Sequence, residues 1–371
     1  MQSLKKIKDF LKKELKVVHF LISESIKSSD SSYLKDIAKH ISISGGKNMR
    51  LTMTLFIFRS YNPKFIPYDC DNIDFVNQNN NHLNKYYHIY YLAASIEILH
   101  IATLLHDDVI DNSNYRRHKI TAHKIWGNKQ AILVGDFLFS QSFKFLVKTG
   151  SIFVLESIAQ ASAYIATAEI KQINNIIKPE DNNKEIIYEK IDKFSIETYI
   201  EIIKGKTAEL FASSCETAAV LSKNKKDASI WREFGLNFGL TFQIIDDLID
   251  YTVNKEILGK DAMLDIKEGK ITIPIIILWN NADYADRITI ISIFNNIHKE
   301  NYYDQTIITI ISDMFNKYNI INLTLSYAQT YAGVAISALD RIKRKYPLNH
   351  HLNFNINILK DLLIEILQRK N

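Results

Sequence analysis

Apolar residues recur at spacings of three and four along most of the chain, and alternating strand patterns are almost absent. Helices are therefore predicted nearly throughout. At the N-terminus, Leu4, Ile7, Leu11, Leu15 and Val18 line one face of a basic stretch. Asp9 and Glu14 lie in the same stretch, so the pattern predicts a first structural helix rather than an acid-poor transit peptide. The rhythm breaks twice, over 61–88 and 174–194, where Asn-rich polar sequence predicts surface insertions. No fixed-period repeat and no linker interrupts the rest, so residues 1–371 are predicted to form a single all-α domain. No stretch reads as long and apolar enough to span a bilayer, which takes roughly 20 residues. The longest candidate is Ile271–Trp279.

Composition narrows the classes. With 47% hydrophobic residues in 371, the chain can bury a large core, and only 5 Pro and 11 Gly leave room for long helices. A net charge of +5 is too small to imply a nucleic-acid partner, so any functional positive charge must be local. Cys70 and Cys215 are far apart and form neither a metal pair nor a disulfide framework. A reducing compartment follows, with the cytoplasm expected and the mitochondrion as the alternative.

The chemistry concentrates in two acidic clusters. The apolar run Ala93–Leu105 ends in Asp107, Asp108 and Asp111, and Asp246, Asp247 and Asp250 repeat the spacing after a second apolar run. Positions i and i+4 share a helix face, so Asp107 and Asp111 point the same way. Clustered like charges repel, and two such clusters call for a cation. Hard oxygen ligands suit Mg²⁺, which bridges carboxylates to phosphates. One DDxxD alone would be weak evidence; two in equivalent settings are not.

A metal-bound diphosphate also needs basic side chains. Arg116 and Arg117 follow the first cluster, and guanidinium groups take phosphate oxygens bidentately. Gly45 and Gly46 precede Lys47 and Arg50, a turn followed by two bases three apart. Lys206 and Thr207 open an apolar-periodic helix, while Lys260 and Lys270 follow the second cluster. In Glu169-Ile-Lys-Gln172 the two polar groups are helix neighbours, and read equally well as cavity-facing or as polar surface.

Together, GGKNMR (45–50), HIATLLHDDVIDNSNYRR (100–117), VGDFLFS (134–140), KTAELF (206–211) and the stretch from FQIIDDLIDY to GKD and EGK (242–270) resemble the trans-isoprenyl diphosphate synthases. The wording is nearest to the long-chain octaprenyl and solanesyl branch. The resemblance implies an antiparallel helical bundle of the isoprenoid synthase type around a central cavity. It implies two Mg²⁺ ions on Asp107 and Asp111 and a third on Asp246, with Asp108, Asp247 and Asp250 completing the motifs. It places isopentenyl diphosphate at Lys47, Arg50, His100 and Arg117, and the allylic diphosphate at Arg116, Lys206, Gln243 and Lys260, with Lys270 near it. Lys206 and Thr207 would also stabilise the cation. Arg369 and Lys370 match a basic C-terminus that closes the site, and a homodimer is implied. Three positions depart from the family pattern: Asn48 and Leu51 stand where arginine and proline are usual, and His118 follows Arg117 in place of glycine.

The implied reaction joins isopentenyl diphosphate to an allylic diphosphate and releases diphosphate. Its leaving group needs neutralised charge, which Mg²⁺ and Lys/Arg supply. No Ser, Cys or Glu nucleophile is required. His106 is expected to pack or hydrogen-bond beside the aspartates rather than act as a base. Ala102 and Thr103, one turn before Asp107, are small. In short-chain relatives bulky side chains close the product tunnel at this level, so a product beyond C15 is expected. Phe137, Phe139 or Phe143 could form a deeper floor. A short-chain farnesyl or geranylgeranyl synthase and a subunit of a heteromeric synthase are the alternatives. A terpene cyclase fits less well, because it would not need GGKxxR or Arg116–Arg117.

Overall fold

The computed structural model describes residues 1–27, 32–43, 46–67, 87–116, 119–181, 183–252, 263–297 and 305–369. The helices begin with α1 (Gln2–Phe10), α2 (Lys12–Lys27), α3 (Ser32–Ile43), α4 (Met49–Tyr61) and α5 (Tyr87–Ile110). A two-residue antiparallel pair follows, Tyr115–Arg116 with Lys119–Ile120, the only sheet among the described residues. Then come α6 (Ala122–Trp126), α7 (Asn128–Lys148), α8 (Ile152–Asn175), α9 (Lys184–Lys193) and α10 (Ile196–Ile203). A π-helical turn, Lys204–Ala208, leads into α11 (Glu209–Leu221) and α12 (Ala228–Thr252). The chain continues through α13 (Leu264–Lys267), α14 (Ile273–Asn281), α15 (Tyr284–Asn296), α16 (Gln305–Lys317), α17 (Ile320–Lys345) and α18 (His350–Leu367). The predicted all-α class is what forms.

The chain divides into two compact units that interleave in sequence. The first comprises Met1–Ser162, Leu210–Gly235 and Ile336–Leu362; the second comprises Ala163–Glu209, Leu236–Ala335 and Leu363–Asn371.

In the first unit the predicted N-terminal face is used for packing: Leu4, Ile7, Leu11 and Val18 are buried. Helix α5 is apolar on nearly every side, as a helix enclosed by others must be. It packs against α4 and most extensively against α7. The expectation that no stretch could span a bilayer needs correcting for this helix. Tyr87–Ile110 passes by length and composition, and Ile271–Trp279 is not the longest candidate. The physical account is a core helix, since 67% of its most apolar window is buried against protein. A second feature of this unit is a polar knot around Asp227, which is wholly buried. The hydroxyls of Tyr61 and Tyr346 each donate to its carboxylate at 2.8 Å, and the Lys345 ammonium pairs with it. Trp231 Nε1 donates to the Tyr61 hydroxyl at 2.9 Å.

In the second unit α14 is buried from Ile273 to Trp279, and Pro274 sits at its start, where a missing N–H costs nothing. Ser195 caps α10 by accepting from the Thr198 N–H. The stretch 174–194, expected as a polar surface insertion, also carries α9. Its Ile187 and Ile191 are buried, and Asp192 accepts from Trp279 Nε1 at 3.2 Å. The other expected insertion lies mostly at 68–86, outside the described residues.

Candidate active site

In the first unit, Lys47 and Asn48 lead into α4. Asn48 holds a left-handed conformation, φ 46°, just before the helix, and its side chain meets His19 Nε2 at 3.2 Å. Asparagine tolerates that conformation better than other non-glycine residues, which accounts for its place in the departure from the family motif. Arg50, in the first turn of α4, donates through Nη1 to His100 Nε2 at 3.3 Å. That contact needs an unprotonated Nε2. The guanidinium carbon also lies 4.3 Å from the centroid of the Phe211 ring, a stacked cation on an aromatic face. Burial lowers the Arg50 pKa to about 10 and the nearby Glu97 opposes the shift, so the side chain stays charged at neutral pH. Arg50 and His100, named separately in the sequence, therefore meet. Gly45 and Arg117 lie outside the described residues.

The first acidic cluster splits by role. Asp107 and Asp111 are half-buried, one turn apart at the end of α5, and the Asp111 N–H bonds the Asp107 carbonyl at 2.8 Å. Asp108 points inward and accepts from Arg116 Nε at 2.6 Å. Burial raises its pKa, and Arg116 counters part of that. Arg116, expected at the allylic diphosphate, is thus engaged with a carboxylate of its own motif. His106 is held from α7, with Nε2 3.2 Å from the Ile132 carbonyl oxygen and 3.4 Å from Asp136 Oδ1. Room for the ring comes from Gly135, where a Cβ would stand 2.2 Å from His106 Nε2. Packing therefore accounts for His106 and for the glycine of VGDFLFS. One turn before Asp107, Ala102 is fully buried, and the Thr103 hydroxyl donates to the His100 carbonyl at 2.9 Å. Phe139 and Phe143, one turn apart on α7, pair with ring centroids 5.3 Å apart.

In the second unit the π-helical turn carries Lys206 and Thr207. π-turns inside helices are frequent at functional sites. Lys206 Nζ lies 2.7 Å from Glu169 Oε2 on α8, while Thr207 Oγ1 donates to Gln243 Oε1 at 2.8 Å. Gln243 Nε2 in turn donates to Asp247 Oδ1 at 2.6 Å, and Tyr199 donates to Asp247 Oδ2 at 2.6 Å. A continuous chain of hydrogen bonds thus joins Thr207 to the second acidic cluster. Asp247 is buried, which pushes its pKa up to about 7. The charges of Asp246 and Asp250 push the same way, and the bonds from Tyr199 and Gln243 resist. Asp246, by contrast, is exposed, and Arg369 Nη1 donates to its Oδ1 at 3.0 Å. Asp250 Oδ2 accepts from the Asp265 N–H at 3.0 Å, which folds the segment after the cluster back onto it. Lys270 lies on that segment, 2.7 Å from Glu268. Lys260 is outside the described residues. Tyr199 had no sequence signal: it is one of 19 tyrosines and stands in no motif.

In both clusters the second aspartate is committed to protein partners, while the first and last stand nearer to solvent. Among the described residues no three His, Cys, Asp or Glu side chains converge into a protein-only metal cage. The donors fit an ion that takes one or two carboxylates and keeps water or phosphate oxygens for the rest of its shell, as Mg²⁺ does. Asp107 and Asp111 in the first unit offer such donors, and Asp246 in the second offers one of its own.

Comparison with known proteins agrees with this chemistry. Residues 31–311 match the family described as Polyprenyl synthetase. The all-trans-nonaprenyl-diphosphate synthase (geranyl-diphosphate specific) of Rhodobacter capsulatus is 36% identical over 266 residues, 72% of this chain and 71% of its own. The octaprenyl diphosphate synthase of Escherichia coli is 31% identical over 275 residues, 74% of each chain. Among solved structures, a polyprenyl synthase from Caulobacter crescentus complexed with calcium and isoprenyl diphosphate superposes with a TM-score of 0.79. It is 30% identical, with 99% of this chain and 98% of that one covered. A decaprenyl diphosphate synthase from Rhodobacter capsulatus gives the same TM-score at 27% identity, covering 99% of each chain.

Proposed function

The chain belongs to the polyprenyl synthetase family, and from that premise we propose that it condenses isopentenyl diphosphate head-to-tail with an allylic diphosphate. It releases diphosphate and makes a trans-polyprenyl diphosphate longer than C15, in the C30–C50 range. The carrying observation is the bonded run from Thr207 through Gln243 to Asp247, which ties a substrate-binding turn to an aspartate cluster.

Bound Mg²⁺, three ions on this reading, neutralises the diphosphate leaving group. The rest falls to this chain's own side chains. Arg50, braced by His100 and Phe211, takes phosphate oxygens of isopentenyl diphosphate together with Lys47 and Arg117. Lys206 faces the allylic diphosphate, and the Thr207 hydroxyl lies beside the forming cation. Asp108 and Asp247 each hold their own helix end, so that Asp107 and Asp111 on the first, and Asp246 on the second, are the carboxylates that would hold Mg²⁺. Arg369 donates to Asp246, the carboxylate that would hold metal on this reading.

A homodimer is part of the same reading. Helix α7 leaves Leu133 and Val147 mostly exposed, and Ile152 at the start of α8 is more exposed still. Such apolar positions on neighbouring elements suit a second copy of the chain. Sedimentation should find a dimer, and Leu133→Glu with Val147→Glu should give a monomer.

The deciding assay supplies radiolabelled isopentenyl diphosphate with geranyl, farnesyl or geranylgeranyl diphosphate and sizes the products. Activity that needs Mg²⁺, is abolished by chelation and ends beyond C15 is the expected result. A predominant C15 product would overturn the long-chain reading, and no consumption of isopentenyl diphosphate would overturn prenyl transfer itself.

A further inference from the structure

Glu169 has no role in the reaction as described so far, yet its placement is unusual. It is buried, and buried carboxylates are rare unless paired. Its partner is Lys206, with Oε2 2.7 Å from Nζ. One turn further along α8, Gln172 Oε1 accepts from the same ammonium at 3.4 Å. The residues between them behave oppositely: Ile170 is exposed, and Lys171 pairs with Glu201 at 3.1 Å in the open. The helix therefore turns Glu169 and Gln172 inward together and leaves its solvated charges on the other side. That settles the ambiguity of the Glu-Ile-Lys-Gln sequence against a plain polar surface.

We propose that Glu169 is a positioning residue for Lys206, one that aims the ammonium and balances its charge for diphosphate departure. The inference rests on the prenyl-transfer reading. A lysine head group is a compact charge on a flexible four-carbon stem, and its direction is not fixed by its own covalent structure. The charge of Glu169 and the accepting Oε1 of Gln172, both on α8, fix it from one side. The neighbouring Thr207 is fixed from another side by Gln243, so both functional side chains of the π-helical turn are held by flanking helices. The charge of Glu169 has a second consequence. An ammonium paired with a carboxylate grips diphosphate less tightly than a lone one, so the leaving group can be stabilised without being retained.

The test is a double-mutant cycle on the full chain. Glu169→Gln keeps shape but removes charge. It should lower kcat about tenfold and tighten inhibition by inorganic diphosphate, while KM for isopentenyl diphosphate is unchanged. In a Lys206→Gln background the same substitution should cost less than about twofold. Glu169→Asp, which retains the charge, should recover part of the rate. A merely structural role would lower the melting temperature and leave diphosphate inhibition untouched. Equal losses in both backgrounds, or unaltered diphosphate inhibition, would overturn the inference while prenyl transfer stands. An inactive wild-type chain would overturn both.

Discussion

Asp108 and Asp227 show how differently buried carboxylates can be employed. Asp108 is turned inward so that its neighbours can face outward, and Arg116 answers its charge. Asp227 belongs to no motif, yet the ends of three helices converge on it through Tyr61, Trp231, Lys345 and Tyr346. Burial and the adjacent carboxylate raise the Tyr61 and Tyr346 pKa values, the latter to about 12, so both remain donors at any ordinary pH. Asp227→Ala would leave two half-buried hydroxyls and an ammonium without their acceptor. It should cost about 3 kcal/mol, towards the lower end for a broken buried pair because Lys345 is partly solvated. Urea denaturation of the variant measures it, and a loss under about 1 kcal/mol would show that the knot contributes little. Nothing in the sequence pointed to Asp227, because its partners lie more than a hundred residues away on either side. The aspartates of the two clusters were legible, because their spacing is local and repeated.

At the scale of elements, legibility followed periodicity. The end of α5 and the second cluster on α12 were visible because apolar runs lead straight into charge. Helix α9 was hidden because Asn-rich flanks drown a short pattern, although Ile187 and Ile191 stand at helical spacing and are both buried. The segment is also pinned from a distance. Gly269, in EGK, has φ +72°, and its carbonyl accepts from the Ile177 N–H at 2.9 Å. A Cβ at Gly269 would stand 2.1 Å from the Ile177 carbonyl oxygen, a backbone atom that cannot rotate away. The motif glycine is thus a packing requirement that also sets the start of Lys270. Gly269→Ala should destabilise by about 2 kcal/mol or more, from left-handed strain plus the collision. It should also raise KM for the allylic substrate, because Lys270 moves with the turn. Thermal melting and steady-state kinetics check the two effects separately, and a variant as stable as wild type would remove the explanation. Helix α5 carries the opposite lesson: its apolar run was legible in the sequence, but only the packing tells a core helix from a spanning one.

At the scale of the whole molecule, product length is the property that no single residue owns. On the proposed reading the chain grows away from the metal-bearing end of α5, past Thr103 and Ala102. Both are small, and Thr103 is half-buried. From Thr103 back to Tyr87, α5 continues for about 24 Å at 1.5 Å per residue, flanked by α7 for much of the way. A helix pair of that length can accompany a long apolar chain, and the floor then falls to bulky side chains deeper in, such as the Phe139–Phe143 pair. Thr103→Phe places an aromatic ring one turn from Asp107, on the same face. It should shorten the main product to C15–C20 while leaving the first condensation nearly as fast, because it blocks space without touching a diphosphate ligand. Phe139→Ala with Phe143→Ala should lengthen the product instead. Chromatographic sizing reads both outcomes. A Thr103→Phe enzyme that still made the wild-type length would mean that the growing chain leaves by another face of α5, and a floor near Phe139 would then be excluded with it.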